Sequence, residues 1–162
     1  MIKTAVILAA GLGSRINEFS KLKPKGFIEI NGISLIERSI NILLDNGISK
    51  IYIGTGYKAT FYDNLKKLYS SIVTKKNHEY EISGSFHTLY NFKDILNDNF
   101  LLLESDILYQ NSAITSLLGD NKSNIILTSN LSKSEDEVFV IEDKNKLIKL
   151  TKIPSKDEKP SS

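Results

Sequence analysis

The stretch Ala5-Val6-Ile7-Leu8-Ala9-Ala10-Gly11-Leu12-Gly13-Ser14-Arg15 decides the fold. Its first half is apolar without alternation, the pattern of a strand buried on both faces. Ala5 to Ala10 is therefore expected as a fully buried strand. Its second half is small and glycine-rich, at the point where a strand hands over to a phosphate-binding loop. Small residues let the backbone approach phosphate oxygens closely, with N–H groups turned inward as donors. Arg15 adds a fixed positive charge with fork geometry. Lys23-Pro24-Lys25 follows shortly, with Pro24 stiffening the chain and holding a lysine toward the same pocket. Lys3 and the apolar run after it superficially resemble a secretory leader. That run is only about seven residues long and ends in the glycine loop, so a buried strand is the better reading.

Two common phosphate loops fail against these residues. The dinucleotide fingerprint needs a third small residue where Ile16 stands, and a carboxylate at the end of the second strand. That strand ends in Gly54-Thr55-Gly56-Tyr57, which offers none. The Walker loop needs Gly-Lys-Ser/Thr, and this chain has Gly13-Ser14-Arg15 instead.

Working outward, a loop is expected from Gly11 to Gly26 and a short strand at Phe27 to Ile30, closed by an Asn31-Gly32 turn. Ser34 caps a helix and Glu37 completes a capping box. Leu35, Ile36, Ile40, Leu43 and Leu44 form its buried stripe, and Asn46-Gly47 ends it. Ile51 to Thr55 is a second buried strand. Thr60 to Tyr69 has helical periodicity through Phe61, Leu65 and Leu68. Ile72 to Thr74 reads as a strand, Phe86 to Leu96 as a helix and Phe100 to Leu103 as a further buried strand. Ala113 to Leu118 is a short helix and Asn124 to Ser129 another strand. Val138 to Glu142 and Leu147 to Lys152 form a hairpin around Asp143-Lys144-Asn145-Lys146. Strands alternating with helices give a three-layer α/β/α fold on a mostly parallel, Rossmann-like sheet. The loops after the first, second and Phe100 strands should then face one crevice.

Composition narrows the chemistry. The 162 residues suffice for one domain with its own core, and 41% apolar with 25% charged residues is the balance of a globular protein. With no cysteine and only His78 and His87, thiolate and histidine-rich metal sites are excluded. Any divalent ion must be held by carboxylates and by the substrate, which suits magnesium. The net charge of +2 reads best as a lysine-rich solvated surface. The lysines are scattered rather than striped with aromatics, so nucleic acid is not the expected partner. No segment approaches the ~20 apolar residues that cross a membrane, and a cytoplasmic protein is expected. A homo-oligomer is compatible with the sequence.

The string Ala9-Ala10-Gly11-Leu12-Gly13-Ser14-Arg15, a spacer, then Pro24-Lys25 closely resembles the signature of the GT-A-like nucleotidyltransferases. These enzymes join a nucleoside triphosphate to a phosphorylated small molecule and release pyrophosphate. Two further stretches resemble the 2-aminoethylphosphonate and phosphocholine cytidylyltransferases. Asn77 to Tyr90, containing Ser83-Gly84-Ser85-Phe86-His87-Thr88-Leu89-Tyr90, is similar to their nucleoside-binding segment and nearer the aminoethylphosphonate form. Leu101-Leu102-Leu103-Glu104-Ser105-Asp106 resembles the strand ending in the metal-binding aspartate. Sugar-phosphate nucleotidyltransferases share the first loop but usually carry a different nucleoside segment.

The resemblance implies that Leu8, Ala9, Ala10, Gly11, Gly13, Ser14 and Arg15 hold the triphosphate of CTP, with Lys25 on the α-phosphate. Ser83, Gly84 and Ser85 would read the nucleoside. Ser83 and Ser85 are equally suited to simple helix capping. His87 reads better as a structural residue than a catalytic one, and Tyr57 and Tyr90 as packing. Asp106 is the expected metal ligand. In an extended chain Glu104 points the same way, so the two can share one hydrated magnesium ion. The partners implied are CTP and a small phosphonate or phosphate acceptor. Alternatives are a sugar-1-phosphate nucleotidyltransferase using UTP, dTTP or GTP, and a non-catalytic nucleotide-binding regulatory fragment. The nucleotidyltransferase domain is expected over 1–153, with a polar, disordered tail at 154–162. Relatives continue further, with a second metal-binding carboxylate and much of the acceptor pocket, so the chain reads as a C-terminally truncated piece.

Overall fold

The computed structural model describes residues 2–13, 17–129, 137–144 and 146–154. In chain order they form β1 (Thr4–Ala9), α1 (Asn17–Leu22), β2 (Glu29–Ile30), β3 (Ile33–Ser34), α2 (Leu35–Asp45), β4 (Lys50–Thr55), α3 (Ala59–Leu65), β5 (Ile72–Lys76), α4 (Ser85–Tyr90), β6 (Phe100–Glu104), α5 (Asn111–Gly119), β7 (Phe139–Asp143) and β8 (Lys146–Thr151). A single 3₁₀ turn spans Lys25–Phe27. The chain divides into two compact units, Met1–Gly119 and Asp120–Ser162.

The first unit is built on β1. This strand pairs in parallel with β4 on one side and β6 on the other, and β5 extends the sheet beyond β4, giving the order β5-β4-β1-β6. Both faces of β1 are covered, which is why its residues are apolar without alternation. Ala5, Ile7 and Ala9 point to the face occupied by Ile36, Ile40 and Leu43 of α2, Tyr62 and Leu65 of α3, and Ile114 of α5. Val6 and Leu8 point to the opposite face, against Tyr52, Phe92 and the partly buried Leu89. The three-layer, mostly parallel arrangement is thus present. On the second face α4 packs very close to the sheet. A Cβ on Gly54 would lie 2.5 Å from the Thr88 methyl carbon and 3.1 Å from the Phe92 ring.

Local signals hold where the chain is regular. Asn31 and Gly32 both have positive φ, 54° and 77°, and join the β2–β3 hairpin as a primed turn. Ser34 caps α2: its hydroxyl accepts from the Glu37 N–H, and the Glu37 side chain accepts from the Ser34 N–H. The buried stripe of α2 contains Ser39 in place of Leu44, which is only half-buried. Asn46 and Gly47 (φ 77°) close the helix.

Five expectations are corrected. The loop expected from Gly11 to Gly26 contains α1, whose Glu18 in the first turn and Lys21 in the last complement the helix dipole. The strand expected from Phe27 is only Glu29–Ile30, because Phe27 ends the 3₁₀ turn and packs on α3. Helix α3 stops at Leu65, where Lys66, Lys67 and Leu68 make tighter i→i+3 bonds and leave Leu68 exposed. Likewise α4 stops at Tyr90, and i→i+3 turns from Leu89 onward drive Phe92 into the core. Residues 124–129 form no strand: Asn124 has a left-handed φ of 58° and the segment finds no ladder partner among the described residues.

The second unit contains the expected hairpin, β7 paired antiparallel with β8, its register broken between Ile141 and Glu142. Of the tail expected at 154–162, all but Pro154 lies outside the described residues. No helix among the described residues is long and apolar enough to cross a membrane.

Ser34→Ala removes half of the capping box from a buried helix start. We expect a loss of about 1 kcal/mol, read as a lower urea midpoint with an unchanged m-value.

Candidate functional site

A cleft of about 260 Å³ opens at the carboxyl ends of β1 and β6. Parallel strands side by side place their exit loops together there, and this is the crevice the α/β topology provides. Leu8, Ala9, Ala10 and Gly11 form one wall as β1 runs out. Glu104, Ser105 and Asp106 form another as β6 ends, tied to the first by the Ser105 N–H donating to the Leu8 carbonyl at 3.0 Å. Lys25, Tyr62, Tyr80, Thr88 and Ser83-Gly84-Ser85 complete the lining.

Lys25 and Asp106, 81 positions apart, meet across the cleft with Nζ 3.3 Å from Oδ2. Their side chains are 23% and 35% exposed, so each charge is partly desolvated yet open to a ligand. The placement of Lys25 begins with Pro24, which caps the 3₁₀ turn in extended geometry. Phe27 then docks edge-on against Phe61 and Tyr62 of α3, with centroids 5.3 and 5.2 Å apart. Gly26 is buried here in a space that is tight for a side chain. A Cβ there would lie 3.0 Å from the Tyr62 hydroxyl and 3.2 Å from the Ser105 carbonyl oxygen. Lys23 turns away and pairs with Glu29 at 2.8 Å on the surface.

The Tyr62 hydroxyl lies against Gly26, and burial pushes its pKa up to about 12. Burial, reinforced by the neighbouring Asp106 charge, holds Glu104 above the ordinary carboxylate range, while the Ser85 hydroxyl and Lys25 pull it back. Glu104 and Asp106 are the two carboxylates of the cleft lining. Among the described residues no group of three or more His, Asp or Glu forms a ready-made cage. The donor set fits magnesium, which commonly takes one or two carboxylates and completes its shell with substrate phosphates and water.

The opposite rim is organised by Asn77, a residue 1% exposed. Its Nδ2 donates to Ser83 Oγ at 2.9 Å and Thr88 Oγ1 at 3.0 Å, and its Oδ1 accepts from the Glu79 N–H at 3.0 Å. The cap of α4 is Gly84, with no side-chain cap bond. Capping is therefore not the role of Ser83, whose hydroxyl is held by Asn77. His87 pairs with Glu79 at 3.3 Å on the surface, in keeping with a structural role. The loop after β4 does not line the cleft as expected. It supports the cleft instead: Tyr57 N–H donates to the Ala10 carbonyl, and Gly56 lies so close beneath Tyr80 that a Cβ would sit 2.5 Å from it.

The structure thus brings together Leu8, Ala9, Ala10, Gly11, Lys25, Ser83, Gly84, Ser85, Glu104 and Asp106. Gly13 is buried with a left-handed φ of 70° but does not reach the lining. Ser14 and Arg15 lie outside the described residues. Tyr62 was not singled out by the sequence, and Asn77, Tyr80 and Thr88 were included in the Asn77 to Tyr90 stretch without a role of their own. The apolar periodicity of α3 drew attention to Phe61 and Leu65 instead, and nothing in the quoted stretch distinguishes Asn77 as the residue that shapes it.

Comparison with known proteins agrees with this fold. The profile of the MobA-like NTP transferase domain family matches residues 5–150. The 2-aminoethylphosphonate cytidylyltransferase of Lancefieldella rimae is 32% identical over 111 residues, 68% of this chain and 45% of the relative. The UTP–glucose-1-phosphate uridylyltransferase of Haloferax volcanii is 30% identical over 109 residues, 65% of this chain and 44% of the relative. The solved CTP:phosphocholine cytidylyltransferase of Streptococcus pneumoniae superposes with a TM-score of 0.69 at 27% identity, covering 93% of this chain and 65% of that one. The chain spans less than half the length of these two curated relatives.

A phenol raised from 10 to about 12 makes the folded state hold more protons than the unfolded state between those pH values. Stability must therefore fall as pH rises through that window. We expect the native chain to lose roughly 2–3 kcal/mol relative to Tyr62→Phe between pH 10 and pH 12. Urea unfolding of the two at matched pH measures it.

Proposed function

This chain belongs to the MobA-like NTP transferase domain family, and we propose that it transfers CMP from CTP to a small phosphonate or phosphate, with 2-aminoethylphosphonate favoured. The observation that carries the proposal is the Lys25–Asp106 pair at 3.3 Å, set between the β1 exit loop and Ser83-Gly84-Ser85. One cation and a nearby carboxylate at the end of that loop support assigning the α-phosphate of a triphosphate to this place. We assign this reaction to the nucleotidyltransferase domain over 1–153.

An acceptor oxygen attacks the α-phosphorus, a new phosphorus–oxygen bond forms, and the bond to the β-phosphate oxygen breaks to release pyrophosphate in line. The acceptor is already ionised at neutral pH, so no general base is needed. Both reactants are anions, and the site's task is to hold them together and offset charge. Lys25 moves from Asp106 to the α-phosphate and stabilises the charge that develops there. The amides of Ala10 and Gly11 hold phosphate oxygens, and we assign Arg15 to the β- and γ-phosphates. Ser85 and the Ser83 hydroxyl, fixed by Asn77, contact the nucleoside. Magnesium, which Asp106 and Glu104 would hold, supplies neutralisation of phosphate charge.

A second reading is transfer of another nucleotide to a sugar phosphate. The near-equal similarity to the Haloferax uridylyltransferase favours it. Pyrophosphate release measured with CTP, UTP, dTTP and GTP, against 2-aminoethylphosphonate, phosphocholine and glucose-1-phosphate, separates the two. Turnover confined to CTP with the phosphonate is the expected result, and turnover with UTP and the sugar phosphate sinks it.

Lys25→Ala should lower kcat by roughly 10²–10³, the loss typical of one donor to a developing charge. Near-normal turnover would refute the assignment.

A further inference from the structure

On the rim of the cleft facing Lys25, a buried side-chain amide has its direction fixed by the backbone around it. Asn77 is 1% exposed, and its N–H donates to the Thr55 carbonyl at 2.7 Å, just beyond the end of β5. Its Oδ1 accepts from the Glu79 N–H at 3.0 Å. Its Nδ2 donates to Ser83 Oγ at 2.9 Å and to Thr88 Oγ1 at 3.0 Å, one amide hydrogen to each. Turning the amide over would set Nδ2 against the Glu79 N–H, donor against donor in a place shielded from water. A backbone N–H cannot reverse its polarity, so Nδ2 must face the two hydroxyls.

Both hydroxyls are held in their turn. The Thr88 methyl is seated over β4, where a Cβ on Gly54 would lie 2.5 Å from it, and this leaves Oγ1 turned to Asn77. The Ser83 N–H donates to the Glu79 carbonyl at 2.9 Å and closes the turn that carries the hydroxyl. A hydroxyl accepts on its lone pairs and has a single hydrogen to give. Ser83 Oγ accepts from Asn77, and among the described residues that is its one bond. Its hydrogen therefore points away from Asn77, and Ser83 lines the cleft. Toward a ligand, Ser83 is a donor.

We propose that Asn77 is a positioning residue that sets hydrogen-bond polarity: it makes Ser83 donate into the cleft and so selects a pyrimidine whose N3 accepts. The proposal rests on the CTP reading given above and names the group that enforces it. N3 of cytosine carries a lone pair, whereas N3 of uracil or thymine carries a hydrogen. Against cytosine the Ser83 hydroxyl makes a bond; against uracil two donors oppose each other and both go unpaired. The ribose hydroxyls both donate and accept and are the same in CTP and UTP, so a contact there would not discriminate. Asn77 touches no substrate and acts through Ser83.

The test is the ratio of Kd for UTP to Kd for CTP, measured by titration calorimetry with magnesium and no acceptor, at about pH 8, where a carboxyl is ionised. The native chain should favour CTP. Asn77→Asp keeps an acceptor for the Glu79 N–H but has no hydrogen to give, so Ser83 must donate inward and show its lone pairs to the cleft. The ratio should then fall roughly 10–100-fold, the size of one bond replaced by an unpaired group. Ser83→Ala should lower the ratio similarly, and adding Asn77→Asp to it should change the ratio no further, because the two act as one unit. Thr88→Val keeps the shape over Gly54 but takes one acceptor from the amide, and should lower the ratio severalfold.

An unchanged ratio in Asn77→Asp, or in Thr88→Val if Asn77→Asp does not fold, overturns the proposal. So does an unchanged ratio in Ser83→Ala, or a native chain that binds UTP as well as CTP. Equal weakening of both nucleotides overturns it too, since that marks a merely structural role. Binding needs no turnover, so the two readings fail separately. A chain that selects CTP through Asn77 but transfers no CMP defeats the functional reading alone. One that transfers CMP and keeps its preference in all three variants defeats this proposal alone.

Discussion

The close seating of Gly26 between Tyr62 and Ser105 is the constraint on which the site depends. Contacts of 3.0–3.3 Å around the place of a missing Cβ are tighter than a methyl group ordinarily makes, so glycine at residue 26 lets the turn bearing Lys25 approach the end of β6 without displacing its neighbours. That approach brings an ammonium within 3.3 Å of a carboxylate in a partly dehydrated cleft. Phe27, packed edge-on against Phe61 and Tyr62, supplies apolar burial that holds the turn down. The energetic load is thus carried by packing, and the charged pair is its consequence.

The sheet decides where this can happen. With β1 in the centre and apolar on both faces, no polar group can be offered along its length, and the chemistry is pushed to its carboxyl end. There the register sets Leu8 opposite both Gly54 and Glu104. Gly54 lets α4 lie close, bringing Thr88 and the Ser83-Gly84-Ser85 turn over the same end of the sheet from which Glu104 and Asp106 project. Asn77 then gives the turn a fixed shape, with all three of its mapped bonds made inside the protein. The carboxylates respond to the same geometry. Burial of Glu104 beside Asp106 raises its pKa, an environment suited to a counter-cation.

Much of this was legible from local pattern. The unbroken apolar run of β1, the capping box at Ser34 and Glu37, the primed turn at Asn31-Gly32 and the hairpin of β7 and β8 each follow from neighbours a few residues apart. The glycine loop, Lys25, Ser83 to Ser85 and Asp106 could be nominated from their strings. Errors arose where a long-range contact overrode local periodicity. Leu68 and Leu96 continued helical stripes on paper, but the backbone tightened after Leu65 and Leu89 to bury Phe92 and turn back to the sheet. Ile125, Ile126 and Leu127 read as a strand and found no partner to pair with among the described residues.

The sequence by itself determined the alternation of strands and helices, the loop at the end of the first strand, and the residue types available to bind phosphate. These depend on φ/ψ preferences and on hydrophobic period, which act over a few residues. The tertiary structure decided that Lys25 would stand beside Asp106 and that a buried tyrosine would lie beneath them. It also decided that Asn77 would shape the facing turn. Those outcomes depend on which surfaces close against each other across 81 and more positions, and on whether a gap of about 3 Å is filled by a hydrogen atom or a methyl group. No local preference encodes a distance of that kind, since it is set by close packing of the folded chain.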